Sequence, residues 1–118
     1  MANPNIVSVA SILGVTTLVS SLGTTATTLI SSVTASHVYK LNSITVCNKT
    51  GSQCYVTVYV TRSATNYNLA FQIPIPANAT LNVLGKDMQI YLNESDVLTG
   101  LSQTASALDV LVSYEDIS

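Results

Sequence analysis

Residues 53–62 read QCYVTVYVTR, and this stretch decides the fold class. Valine occupies every second position from Val56 to Val60, and tyrosine or threonine fills the positions between. Successive side chains of a β-strand point to opposite faces, so this alternation predicts a strand with its valines toward a core. The row expected on the outward face consists of Tyr55, Thr57, Tyr59 and Thr61.

Further strands are predicted on both sides of this stretch. The turn-forming sequence at 48–52 predicts a β-hairpin that joins strand 43–48 to strand 53–62. Ser63–Asn68 is a predicted polar turn, and 97–101 begins either a strand or a short helix. The other predicted strands cover 69–73, 81–84, 90–92 and 108–115. Such regular short strands predict an all-β fold, an antiparallel two-sheet sandwich or jelly roll with an extended N-terminal arm.

The first third of the chain differs from the rest in charge. Residues 1–39 contain no charged side chain, and the apolar stretch Ile6–Leu22 is interrupted by serines and threonines with no basic residue before it. We therefore expect strands there rather than a signal peptide or a membrane span. The predicted division is an N-terminal arm, or arm-like strands, over 1–36 and a β-sandwich domain over 37–118. The arm is expected to reach to, or pair strands with, an adjacent subunit.

Low charge limits the partners that this chain can bind. Charged residues make up 8% of the sequence, against roughly 25% in an ordinary soluble chain, and the net charge is −2. No basic cluster is available for phosphates, so nucleic acid is not an expected partner. A neutral surface gives little repulsion between copies, and we expect a homo-oligomer. The candidate interface residues are Tyr55, Thr57, Tyr59, Thr61, Ile12, Leu13, Val15 and Leu18.

Catalytic or metal-binding constellations are not apparent. His37 is the single histidine, and no carboxylate lies within forty residues of it in sequence. A base oriented by a further group, or three to four metal ligands, would be needed for catalysis. The acidic pairs 94/96 and 115/116 could hold Ca²⁺, but their positions at a turn and near the terminus favour solvated carboxylates. We expect no enzymatic activity, no cofactor and no metal.

The two cysteines are assigned from strand parity. In the predicted hairpin Val46 and Val56 share the inner face, which places Cys54 inside and Cys47 outside. Side chains on opposite faces cannot form a disulfide, so both thiols are predicted to be free. A bulge in the turn is the alternative that would restore a disulfide.

Four segments occur in a characteristic order between residues 24 and 118. They are KLNSI at 40–44 running into VCN at 46–48, IPIPA at 73–77 before Thr80-Leu81, IYL at 90–92 with Glu94 and Asp96, and VSYE at 112–115. In this order they resemble a loose family of small β-sandwich structural proteins from tailed bacteriophages, of cyanophage type. The turn around Gly51 is short, and Ser95 stands where the family pattern has glycine.

The resemblance implies a virion component without enzymatic activity. The expected role is a capsid decoration, or cement, protein that docks on the major capsid protein; neck, tail and fibre components are the alternatives. Expected partners are therefore other virion proteins, the major capsid protein or tail subunits, with no membrane contact. A different class of function is a carbohydrate-binding adhesin module at a fibre tip, for which Tyr55, Tyr59 and Tyr67 are the candidate residues.

Overall fold

The computed structural model describes residues 10–85 and 90–118, and the regular structure within them consists of nine strands. Across these residues no helix is long and apolar enough to cross a membrane. The strands are β1 (Ile12–Val19), β2 (Thr27–Ile30), β3 (Val38–Asn48), β4 (Cys54–Arg62), β5 (Thr65–Ile75), β6 (Thr80–Leu84), β7 (Ile90–Leu92), β8 (Val97–Ser102) and β9 (Leu108–Ile117).

Two antiparallel sheets face each other. One has the strand order β1-β9-β3-β6, with β7 also pairing β3, and the other has the order β2-β8-β4-β5. Consecutive strands mostly alternate between the sheets, which is the arrangement of a jelly roll. The predicted all-β sandwich is confirmed, and segment 97–101 belongs to a strand rather than to a helix.

The core lies between the sheets and is built from alternating positions. Val56 and Val58 on β4 are fully buried, as their alternation predicts, and they face Ile44 and Val46 on β3 across the sandwich. The β-branched side chains pack well on pleated surfaces, which explains why this composition forms strands.

The predicted hairpin between 43–48 and 53–62 is wrong. β3 pairs with β9, β6 and β7, whereas β4 pairs with β5 and β8 in the other sheet. The turn at 48–52 therefore crosses between the sheets. The buried Asn48 holds it there, because its side-chain amide donates to the carbonyl oxygens of Ser52, at 2.8 Å, and Ile75, at 3.0 Å.

The predicted arm also needs correction. Residues 1–9 lie outside the described part of the chain, but β1 pairs with β9 along its whole length and β2 pairs with β8. Leu22 and Leu29, which belong to the same segment, are buried in the core. Residues 12–30 thus form one edge of each sheet of their own subunit, and no boundary at residue 36 separates an arm from the sandwich. In-chain pairing satisfies the backbone groups on one side of each of these strands, which an extended arm would leave to a neighbour.

Candidate functional site: interaction surfaces

β1 is an edge strand whose outward backbone groups can be assigned. Its register with β9 runs without interruption from Ile12↔Ile117 to Val19↔Val110. Just before it, Ser11 and Ser118 exchange both backbone hydrogen bonds, at 3.0 and 2.9 Å. Bonding direction alternates along an antiparallel strand, so the odd-numbered residues bond to β9. The N–H and C=O groups of Ile12, Gly14, Thr16 and Leu18 therefore point away from the sheet, and these groups form what we call the β1 edge.

The side chains on this strand are uncharged and largely apolar. Ile12, Leu13 and Leu18 are 55%, 58% and 69% exposed, whereas Val15 is half-buried. Val19 lies opposite the buried Val110, so odd-numbered side chains lie on the core side of the sheet and even-numbered ones on its outer side. Leu13, near the start of the strand, is on the core side but is still exposed. Three of the four interface residues predicted on this strand are thus on the surface.

The other described sheet edges carry features that discourage strand pairing. β2 has four residues, and its pairing with β8 contains a register shift. β6 has five residues, and its pairing with β3 contains a register shift. β5 contains Pro74, and its pairing with β4 contains two register shifts. Short strands, prolines and bulges all blunt an edge, as do charged side chains. β1 has eight residues, a continuous register, no proline and no charge. Among the described edges it is the one most open to a further strand.

A polar clamp fixes the C-terminal end of β1. Asp109 Oδ1 accepts a hydrogen bond from the Ser21 backbone N–H at 2.9 Å and lies 2.9 Å from Lys49 Nζ. The bond from Ser21, followed by that from Lys49, lowers the pKa of Asp109. The same lysine donates to Ser21 Oγ at 2.9 Å. The edge strand is therefore held in place by its own subunit where it leaves the sheet.

The outward row on β4 is less continuous than the alternation predicts. Tyr55 is exposed and Tyr59 and Thr61 are half-buried, but Thr57 is buried. Its Oγ1 accepts a hydrogen bond from the Gln72 backbone N–H at 3.1 Å, where β5 bulges over β4. Thr57 is therefore not free to contact a partner. The predicted outward row is interrupted at this residue, with Tyr55 on one side of it and Tyr59 and Thr61 on the other. A shallow pocket of about 120 Å³ beside Tyr55 is lined by Tyr55, Thr57, Gln72, Leu101 and Gln103.

A larger cleft of about 440 Å³ opens where β4 and β5 face β7. We call it the tyrosine cleft; its lining residues are Val60, Arg62, Tyr67, Asn68, Leu69, Ile90, Tyr91 and Leu92. Tyr67 and Tyr91 are exposed at its mouth. Of the three tyrosines proposed for sugar binding, Tyr67 lies here, while Tyr55 lies at the other end of β4 beside the smaller pocket.

Arg62 on the wall of the tyrosine cleft is held by Asp96. Its Nε lies 2.9 Å from Oδ1 and its Nη2 lies 2.5 Å from Oδ2, and these hydrogen bonds raise the pKa of Arg62. Asp96 also accepts from the Asn93 N–H at 2.8 Å and is only 1% exposed. The expectation of a solvated carboxylate at Asp96 is therefore wrong. Arg62 is 34 residues from Asp96 in sequence, so the residues around Asp96 do not reveal this ion pair.

His37 likewise has a partner that sequence spacing hides. Its Nδ1 lies 2.6 Å from Asp116 Oδ1, although the two residues are 79 positions apart. The contact joins the start of β3 to the end of β9. Within residues 10–85 and 90–118 no group of three or more His, Cys, Asp or Glu side chains is arranged to hold a metal ion.

Both cysteines are free, as predicted. The reason differs from the expected one, because Cys47 and Cys54 lie in different sheets rather than in one hairpin. Cys54 is buried and Cys47 is half-buried, which agrees with the inner and outer positions given by parity. Cys54 Sγ lies 3.2 Å from Ser102 Oγ.

Comparison with known proteins gives one structural likeness. No protein-family model matches the chain, and no curated protein matches it. A matching solved structure comes from Bacillus endospore appendages, described as a novel family of disulfide-linked pili. It is 13% identical, the alignment covers 92% of this chain and 88% of that chain, and the TM-score is 0.57. At this identity the likeness shows a shared fold.

Proposed function

We propose that this chain is a non-enzymatic structural subunit of a repetitive protein assembly, and that the assembly is a bacteriophage virion whose capsid it decorates. The observation that carries the proposal is the β1 edge. Eight uncharged residues with a continuous register leave backbone donors and acceptors open beside exposed Ile12, Leu13 and Leu18. Strand addition to such an edge is a common way for subunits to join.

The energetics favour docking through this strand. Full burial of a Leu or Ile side chain contributes roughly 1.5–3 kcal/mol, and these three side chains are already partly covered, so each offers about 1–2 kcal/mol. A chain with net charge −2 and 8% charged residues adds little repulsion between copies at high density. A protein packed many times into one particle needs both properties.

The kind of assembly is inferred from two likenesses. The sequence segments between 24 and 118 resemble virion proteins, for which docking on the major capsid protein is the expected role and neck, tail or fibre positions are alternatives. The solved structure that shares the fold comes from pili, which are also protein polymers. The class of repetitive structural subunit is common to both, and the virion is the setting that we propose.

Incorporation into particles tests the proposal. We expect purified particles to contain this chain at a copy number comparable to that of the major capsid protein, and Leu18→Lys to remove it from them. Phe71→Lys is the matched control, because Phe71 is 60% exposed on β5, away from the β1 edge. Absence of the wild-type chain from particles, or equal incorporation of both folded variants, would contradict the proposal. A few copies per particle would indicate a tail part instead.

The tyrosine cleft favours a second candidate, carbohydrate binding. Tyr67 and Tyr91 offer aromatic faces at the mouth, and Arg62 and Asn68 supply polar groups beside an apolar wall. Amphipathic rings with a few placed polar groups are suited to such ligands. A glycan array with the purified chain tests this candidate, and Tyr67→Ala should abolish any signal while Tyr55→Ala, outside the cleft, should preserve it.

A further inference from the structure

We infer that β1 pairs with β1 of a second copy of this chain, antiparallel about a two-fold axis, so that the five-stranded sheets of the two copies join into one. The inference rests on the proposed role of the β1 edge as a docking site and adds the partner and the register. Two identical strands form an isologous contact, in which the same groups serve on both sides.

The outward-bonding residues restrict the register. In an antiparallel pair, residues that exchange hydrogen bonds lie opposite each other, so Ile12, Gly14, Thr16 and Leu18 must face one another across the axis. All four are used when Ile12 lies opposite Leu18 of the partner subunit and Gly14 lies opposite Thr16 of the partner subunit. A shift of two residues in either direction leaves outward groups of β1 without a partner. The preferred register places Val15 on the axis.

This register also matches the side chains. Ile12 and Leu18, which are among the most exposed large apolar residues, meet as a cross-strand pair on the outer face. Leu111, itself exposed, lies beside Leu18 in the same sheet and extends the apolar contact. Gly14 has no atom within 4 Å of the position that its Cβ would occupy, so Thr16 of the partner subunit meets no obstruction. Cross-strand apolar pairs of this kind stabilise antiparallel sheets.

Charge explains why a second copy is a suitable partner. Like charges opposite each other destabilise a strand pair, and self-pairing puts two copies of any charge on the strand into the same small contact. β1 carries none, and the two acids opposite it on β9 each have a partner in their own subunit: Glu115, opposite Gly14, lies 4.0 Å from Lys40, and Asp116, opposite Leu13, lies 2.6 Å from His37 Nδ1. The strand thus has no group that opposes its own copy.

Cysteine cross-linking tests the register directly. In the full chain carrying Cys47→Ser, the variant Val15→Cys places two thiols across the axis in a non-hydrogen-bonded pair, with Cα atoms about 4.5 Å apart. That separation lies within the range of disulfides, so oxidation should give a covalent dimer. The matched control, Thr17→Cys, has the same strand and face but should keep its thiols roughly 13 Å apart, because each lies opposite residue 13. Absence of a covalent dimer from Val15→Cys, or equal cross-linking of both variants, would overturn the inference.

A pair of proline variants tests the edge by sedimentation. Thr16→Pro removes an outward N–H, and an edge strand tolerates proline there, so the subunit should fold and sediment as a monomer where the wild type sediments as a dimer. Thr17→Pro removes an N–H that bonds to β9 and should unfold the chain at a lower temperature. A monomeric wild type at hundreds of micromolar would refute self-pairing. Self-pairing is measured on the purified chain by cross-linking and sedimentation, whereas the structural role is measured by the presence of the wild-type chain in particles, so failure of one is distinguishable from failure of the other.

Discussion

The guanidinium of Arg62 donates hydrogen bonds to the carboxylate of Asp96 through two nitrogens, with Nε 2.9 Å from Oδ1 and Nη2 2.5 Å from Oδ2. The contact ties the end of β4 to the turn before β8. The Asp96 side chain is almost fully enclosed, whereas that of Arg62 is about half exposed, at 47%. The arginine therefore both neutralises a buried charge and forms part of the wall of the tyrosine cleft.

Removing this arginine should destabilise the fold measurably. We expect Arg62→Met to lower the free energy of unfolding by about 2 kcal/mol, because a buried carboxylate loses its charged hydrogen-bond donors. Lys40→Met is the control, since the Lys40–Glu115 contact is 4.0 Å long and more open to solvent. Its loss should cost less than about 1 kcal/mol. Urea unfolding of both variants measures the difference, and equal losses would count against a special role for Asp96.

Acid should loosen the clamp at the end of β1. The pKa of Asp109 is lowered from its ordinary value of 3.8 in the folded chain, chiefly by the Ser21 N–H and then by Lys49. A lowered pKa contributes stability above the unfolded value and loses it as the pH falls through the folded value. Asp109→Asn should therefore have a lower melting temperature than the wild type at pH 6 and a smaller difference below pH 3. A difference that does not change with pH would show that the carboxylate charge does not contribute.

The first 36 residues should be required for folding. A chain of 37–118 lacks β1, β2 and the buried Leu22, Leu29 and Val33, so both sheets lose an edge and the core loses large side chains. We expect this fragment to show no cooperative thermal transition and no dispersed amide spectrum. A peptide of residues 10–36 added in trans should restore part of both signals. A fragment that folds alone would instead support the N-terminal arm that the sequence predicts.

Two glycines should respond differently to the same substitution. A Cβ at Gly100 would lie 3.1 Å from Leu29 Cδ1 in the core, while the same atom at Gly14 would meet nothing within 4 Å. Gly100→Ala should therefore cost about 1–2 kcal/mol through overpacking. Gly14→Ala should be neutral or stabilise the subunit by about 0.5 kcal/mol, because alanine restricts the unfolded chain. Chemical denaturation of the two variants gives the comparison.

Sequence alone predicted the strands better than their partners. The valine alternation identified β4 because burial on one face leaves a period of two, which requires no knowledge of neighbouring strands. It could not predict which sheet β4 joins, and the turn signal at 48–52 reads the same for a hairpin as for a crossing between sheets. The one-sheet hairpin was predicted because local pairing is the simpler alternative.

Turn chemistry and ion pairs account for other differences. The β4–β5 turn is only two residues long, and Ser63 and Ala64 adopt φ values of 53° and 64°. Such turns usually contain Asn-Gly, so Ser-Ala gave no signal and the turn was predicted to be longer. The His37–Asp116 pair is formed by tertiary packing across 79 residues and has no local pattern to reveal it.

The two ends of the five-stranded sheet differ in a way that limits how far the molecule can polymerise. The edge of this sheet farthest from β1 is formed by two short strands, β6 and β7, which both pair with the same side of β3. The pairing of β6 with β3 also contains a break in register. A fibril that grows by stacking strands needs an accepting edge at both ends of each sheet. The described part of this chain has a well-formed one at a single end, so crowding of many copies should yield discrete particles rather than amyloid.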